Sequence, residues 1–173
     1  VEVKQLQMYN FDIWSPLASV IRDTLKQRDY SDVIGAEIVK KHDLHVFELC
    51  SLCTTIVIDV LLDLAKSDPL EFSHLLKHVI NVNGAYFKEP KPRKQKKSSE
   101  EQSSWFDAFQ FLIAHGHQHA EVMQMTYGCF INYLKAAQKV YLDDNKLHAN
   151  VIRAAQLSDK KGFEKFQAEL SKH

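Results

Sequence analysis

The residues best suited to chemistry are sulfur and imidazole groups at short spacings. Cys50 and Cys53 form a Cys-x-x-Cys pair, the spacing of a dithiol redox couple or of half a zinc site. No second cysteine pair follows, and Cys129 stands alone. The residues around the pair are apolar, so the thiols fall on the inner stripe of a helix and not at a helix N-terminus, where a thiolate is stabilised. They read as small hydrophobes in a packed interior. His115, His117 and His119 lie in a His-Gly-His-Gln-His turn, where alternate imidazoles could converge on a divalent metal. No carboxylate or thiol at fixed spacing completes that set, and solvated histidines beside a glycine turn are the competing reading. Glu71, His74 and His78 share one helix face at i, i+3 and i+7, again a ligand-like arrangement, but with no sign of an outer shell that would orient the rings.

Other reaction classes lack their parts. A nucleophilic serine or cysteine needs a strained turn and an activating histidine, and phosphate chemistry needs a glycine-rich loop that opens a helix. The glycines, Gly35, Gly84, Gly116, Gly128 and Gly162, are dispersed. Asp143 and Asp144 adjoin in a polar stretch without the desolvation that raises a carboxyl pKa for acid catalysis. These features predict a protein without catalytic residues, metal or cofactor.

The elements that hold these residues are helical by composition and by period. Five Gly and four Pro in 173 residues leave little turn material for a many-stranded sheet. Ser15-Pro16 reads as a cap with its first-turn proline, starting a helix that ends near Arg28. Ser31-Asp32 opens a shorter helix through about Lys41, and Asp43 caps a third. That third helix is predicted to run from Val46 to Ala65, apolar over most of its circumference and therefore central. Its length approaches a membrane span, but Glu48, Asp59 and Asp63 argue for the interior of a soluble protein. Asp68-Pro69 starts a fourth helix that fades near Asn83-Gly84.

Residues 88–103 change character. Lys88, Lys91, Arg93, Lys94, Lys96 and Lys97 precede a Ser and Glu stretch with no apolar anchor, which predicts a flexible charged linker. The cluster could meet phosphates, but it lacks interleaved aromatics and Glu100 and Glu101 follow, so nucleic acid is the weaker reading. Beyond it, Ser104 caps a helix carrying Trp105, Phe106, Phe109, Leu112 and Ile113 and ending at Gly116. A short element at 120–124, a longer helix capped by Thr126, and a last helix with Phe163, Phe166 and Leu170 complete the chain. The expected fold is an all-α helical bundle in two lobes, 1–87 and 104–173, joined by the basic flexible linker. With 22 basic and 22 acidic residues, no global field steers the chain toward nucleic acid or a membrane. Sparse cysteines and an opening without a basic-then-apolar signal predict a cytoplasmic protein.

Trp105-Phe106-Asp107-Ala108-Phe109, Leu112-Ile113-Ala114-His115-Gly116, and Glu121-Val122-Met123-Gln124-Met125-Thr126-Tyr127 with Phe130 resemble the tail assembly chaperones of long-tailed bacteriophages. The stretch from Arg153 to Phe166 is similar to phage structural-operon proteins. The resemblance covers residues 104–170, and its motifs are packing patterns and not a catalytic signature. It implies a non-enzymatic helical protein that binds the long, helical tape measure protein before the tail tube polymerises. The partner-binding residues expected on that lobe are Trp105, Phe106, Phe109, Leu112, Phe130 and Leu134, whose surface exceeds what a two-helix lobe buries on itself and so predicts an apolar groove or self-association. A nucleic-acid adaptor and a small metal-binding enzyme are the alternatives from other classes.

Overall fold

The computed structural model describes residues 1–25, 28, 30–88 and 105–170. Among these, helices alone form the architecture: a 3-10 turn at Met8–Asn10, then α1 (Phe11–Leu25), α2 (Asp32–Cys53), α3 (Ile58–Ser67), α4 (Pro69–Val82), α5 (Gly84–Phe87), α6 (Trp105–Ala114), α7 (His119–Gln124), α8 (Tyr127–Leu157) and α9 (Lys160–Leu170). An isolated antiparallel bridge, Gln7 to Thr126, is the only β pairing among the described residues. The all-α class expected from composition is the class observed.

The chain forms two compact units, Val1–Asn132 and Tyr133–His173. This division differs from the expected one at residues 88–103, most of which lie outside the described residues. The reason is that the N-terminal segment holds residues 105–132 to the helices before it. Met8 N–H donates to the Met125 carbonyl at 2.9 Å, and Tyr127 N–H donates to the Leu6 carbonyl at 2.8 Å. Phe11 meets Trp105 at 5.3 Å between ring centroids, and Trp14 and Tyr86 meet Tyr127 at 5.6 and 5.1 Å, edge to face. Such edge-to-face contacts between rings are worth about 1 kcal/mol each beyond their buried area.

In the first unit α1 packs on α2, α2 on α3 and α4, and α3 on α4. Their inner faces bury Trp14, Ile21, Ile38, Val46, Leu49, Cys50, Leu61, Leu76 and Val79 in one core. Local signals set most boundaries. Ser31 Oγ accepts from Ile34 N–H, and Asp68 accepts from Glu71 N–H with Pro69 opening α4, both as the spacing predicts. Gly116 has φ +96° and ends α6, a conformation that a Cβ disfavours. Thr126 Oγ1 accepts from Cys129 N–H at the start of α8.

The break expected between Lys41 and Asp43 is present inside α2 as non-helical backbone at His42 (φ −138°, ψ 38°), while two other boundaries depart from the sequence reading. Helix α1 starts at Phe11, so Pro16 is inside the helix and not at its first turn. A proline there forgoes one backbone bond, but the earlier turn places Trp14 in the core, wholly buried, with its indole N–H donating to the Gln7 carbonyl at 2.7 Å. The long central helix expected over 46–65 is two helices: α2 ends at Cys53, α3 begins at Ile58, and the pair is bent by 118°. Thr54 to Ile58 is an uninterrupted β-branched run, which crowds a helix. Thr54 Oγ1 also donates to the Cys50 carbonyl at 2.8 Å and accepts from Ile56 N–H at 3.2 Å, competing with helix propagation. Among the described residues no single helix is long and apolar enough to cross a membrane.

In the second unit α8 continues to Leu157, and Asp159 accepts from Gly162 N–H at 2.8 Å to start α9.

Candidate functional site

The first half of α2 and the start of α4 enclose a surface groove of about 450 Å³. Its floor and walls are Gly35, Ala36 and Val39 from α2, Ala65 from α3, and Pro69, Leu70 and Phe72 from α4, with Asp32, Lys40 and Ser73 as polar members. The helices come together here because Gly35 has no side chain. A Cβ at that position would land on the Tyr30 hydroxyl. Tyr30 in turn donates to the Ser73 carbonyl at 3.1 Å and bonds Ser73 Oγ at 2.9 Å, and Ser73 Oγ reaches Asp32 at 3.4 Å. Burial holds the Tyr30 phenol above its ordinary pKa, and so neutral and able to donate. The groove is therefore apolar in its lining, polar at one end and held by a bond network between two helices. Clefts of this kind and volume accommodate apolar side chains or an apolar helix ridge.

The residues singled out from the sequence occupy several places. Phe109, Leu112 and Phe130 are interior, the first and third 3% exposed and Leu112 wholly buried. Trp105 and Leu134 are half-buried, and Phe106 is 54% exposed. Phe109, Leu112 and Phe130 are thus taken up by packing within the unit Val1–Asn132, whereas Phe106 stays open to solvent.

Cys50 and Cys53 are buried on the inner face of α2 and free of any disulfide. Burial pushes the Cys53 thiol up to about 12 and raises Cys50 further, with the neighbouring sulfur adding to the latter. Both are held as neutral thiols, the opposite of an activated nucleophile. His115, His117 and His119 do not gather. His115 stacks on Phe111 at 4.0 Å and its Nδ1 bonds the Phe111 carbonyl at 2.7 Å, while His119 lies edge-on to Phe109 at 5.1 Å. His74 Nδ1 sits 3.9 Å from Glu71 on an exposed face. Among the described residues no group of three or more His, Cys, Asp or Glu side chains could hold a metal ion. Of the basic cluster only Lys88 lies within the described residues.

Sequence reasoning missed Asn83, which is 6% exposed. Its Oδ1 accepts from Leu6 N–H at 2.7 Å, and its Nδ2 donates to the carbonyls of Val79 at 3.0 Å and Lys4 at 3.4 Å. Lys4 N–H donates to the Cys53 carbonyl at 2.7 Å, so the N-terminal segment closes the end of α2 as well. Nothing in an Asn-Gly pair at a helix end distinguishes an ordinary terminus from a buried anchor for a segment 77 residues away.

In comparisons with known proteins, no family model, no curated protein and no solved structure matches the chain.

Proposed function

We propose that this protein is a non-enzymatic helical binding protein whose α2–α4 groove receives an apolar helix ridge of a client protein. The observation that carries this reading is the groove itself: an apolar cleft of about 450 Å³ between two helices, fixed by Gly35, Tyr30 and Ser73, with Leu70 58% exposed at its edge. Helix-in-groove recognition uses apolar anchors at i, i+3 or i+4 and i+7 and consumes no nucleotide or cofactor. The resemblance of residues 104–170 to phage tail assembly chaperones specifies the client as the tape measure protein, a long helical chain whose apolar seams need cover before assembly. On this reading residues 105–130 build the scaffold, and the client contacts are Ala36, Val39 and Leu70, with the buried Phe72 as the floor beneath them.

The test is retention of a co-expressed tape measure fragment by the intact chain. Leu70→Asp places a carboxylate in the first turn of α4, where the helix dipole favours it, so the fold is kept while the groove edge becomes charged. Retention should fall by about tenfold or more, the usual cost of removing an apolar anchor from a contact. Unchanged retention by a Leu70→Asp chain of parental melting temperature contradicts the reading.

A further inference from the structure

We infer that His42 is a positioning residue for the groove: in its Nε2–H tautomer it donates to Thr24 of α1 and so pins the half of α2 that forms one groove wall. Every groove residue that α2 contributes, from Asp32 to Lys40, precedes the non-helical backbone at His42, whereas Val46, Leu49, Cys50 and Cys53 follow it and lie in the core. The wall is therefore one side of a break in the helix, and its direction depends on what holds the break. At its far end the wall is tied to α4 by Tyr30 and Asp32 through Ser73. Ile34 and Ile38 hold it against the core, but apolar burial is non-directional, and the exposed Glu37–Arg28 pair at 3.7 Å contributes little. At the break itself Thr24 Oγ1 lies 3.0 Å from His42 Nε2, a directional contact between α1 and α2.

A hydroxyl beside an imidazole could also be a nucleophile with its base, and the position of one proton separates the two. Thr24 Oγ1 carries a single proton and stands 3.0 Å from the Val20 carbonyl as well. If His42 accepted that proton as a base, two oxygens would face each other at that distance with no proton between them. With Nε2–H as the donor both contacts are hydrogen bonds, the ring donating to Thr24 and Thr24 donating to Val20. The pair is then a joint between helices, and its consequence for binding rests on the groove being the client site.

Nitrogen NMR of the intact chain, with His42 assigned by its loss in His42→Gln, should place the proton of the neutral ring on Nε2. Groove width is read without a client, by spin labels on Ala36→Cys and Leu70→Cys in a Cys129→Ser background. Thr24→Val and His42→Leu should shift or broaden the distance between the labels, while His42→Gln, whose amide N–H replaces the imidazole donor, should keep the parental distribution. A proton on Nδ1, a parental distribution in both Thr24→Val and His42→Leu, or a His42→Gln chain that behaves as His42→Leu overturns the inference. Retention of the tape measure fragment should fall about fivefold in His42→Leu, the equivalent of one hydrogen bond, and hold in His42→Gln. Unchanged retention by a His42→Leu chain of altered width overturns the positioning role. A parent chain that retains no fragment contradicts the client reading instead, and leaves the joint to be judged by the proton and the labels.

Discussion

Asn83 ties two parts of the fold together, because one amide serves backbone groups of α4 and of the N-terminal segment. Replacing it with Ala leaves Leu6 N–H buried without its acceptor and frees the Lys4 carbonyl. Asn83→Ala should destabilise the chain by about 2–3 kcal/mol, the cost of a buried unsatisfied donor plus the lost bonds, measured by urea unfolding. A change below about 0.5 kcal/mol, the range of ordinary surface substitutions, would show that the amide is not the anchor described. The buried thiols make a second prediction. Their folded pKa values lie above the ordinary 9.0, Cys53 at about 12, so the neutral form is favoured by folding. Their contribution to stability is complete below pH about 9 and is lost as pH rises from there toward the folded values. Cys53→Ser should flatten that alkaline decline, and a thiol reagent at neutral pH should modify Cys129 long before Cys50 or Cys53. Equal rates for all three would contradict the burial.

At the scale of elements, caps were legible in the sequence and continuity was not. Ser31, Asp68-Pro69, Gly116 and Thr126 act where their types and positions predict, because a cap is a contact within one turn. The break between α2 and α3 was hidden by an unbroken apolar stripe, although Thr54 to Ile58 carried the β-branched signal for it. Pro16 misled in the other direction, since the burial of Trp14 decided where α1 begins and burial is a property of the whole fold. The groove was illegible for the same reason: Gly35, Ala65 and Leu70 belong to three helices whose approach depends on Tyr30 meeting Ser73, 43 residues away. Amide exchange separates the elements. Central amides of α2 and α4, packed in the core, should exchange at rates near global unfolding, while those of residues 140–157 exchange orders of magnitude faster in the dilute chain. Comparable protection in both would contradict the exposure of α8.

For the whole molecule, the units present different surfaces. The first has a filled core and an apolar groove flanked by a polar network, and the second carries a helix with an open apolar edge. The proposed client binding rests on the groove of the first unit. The all-α class could be read from composition and period, whereas the place of the division could not, because Leu6 and Met8 tie residues 125–127 to the first helices through contacts that no local pattern announces. Amide exchange of the intact chain with and without a bound tape measure fragment tests the central claim most directly. Slowed exchange is predicted across residues 33–40 and 69–76, the two walls of the groove. Slowing confined to other parts of the chain, or none at saturating fragment, would contradict it.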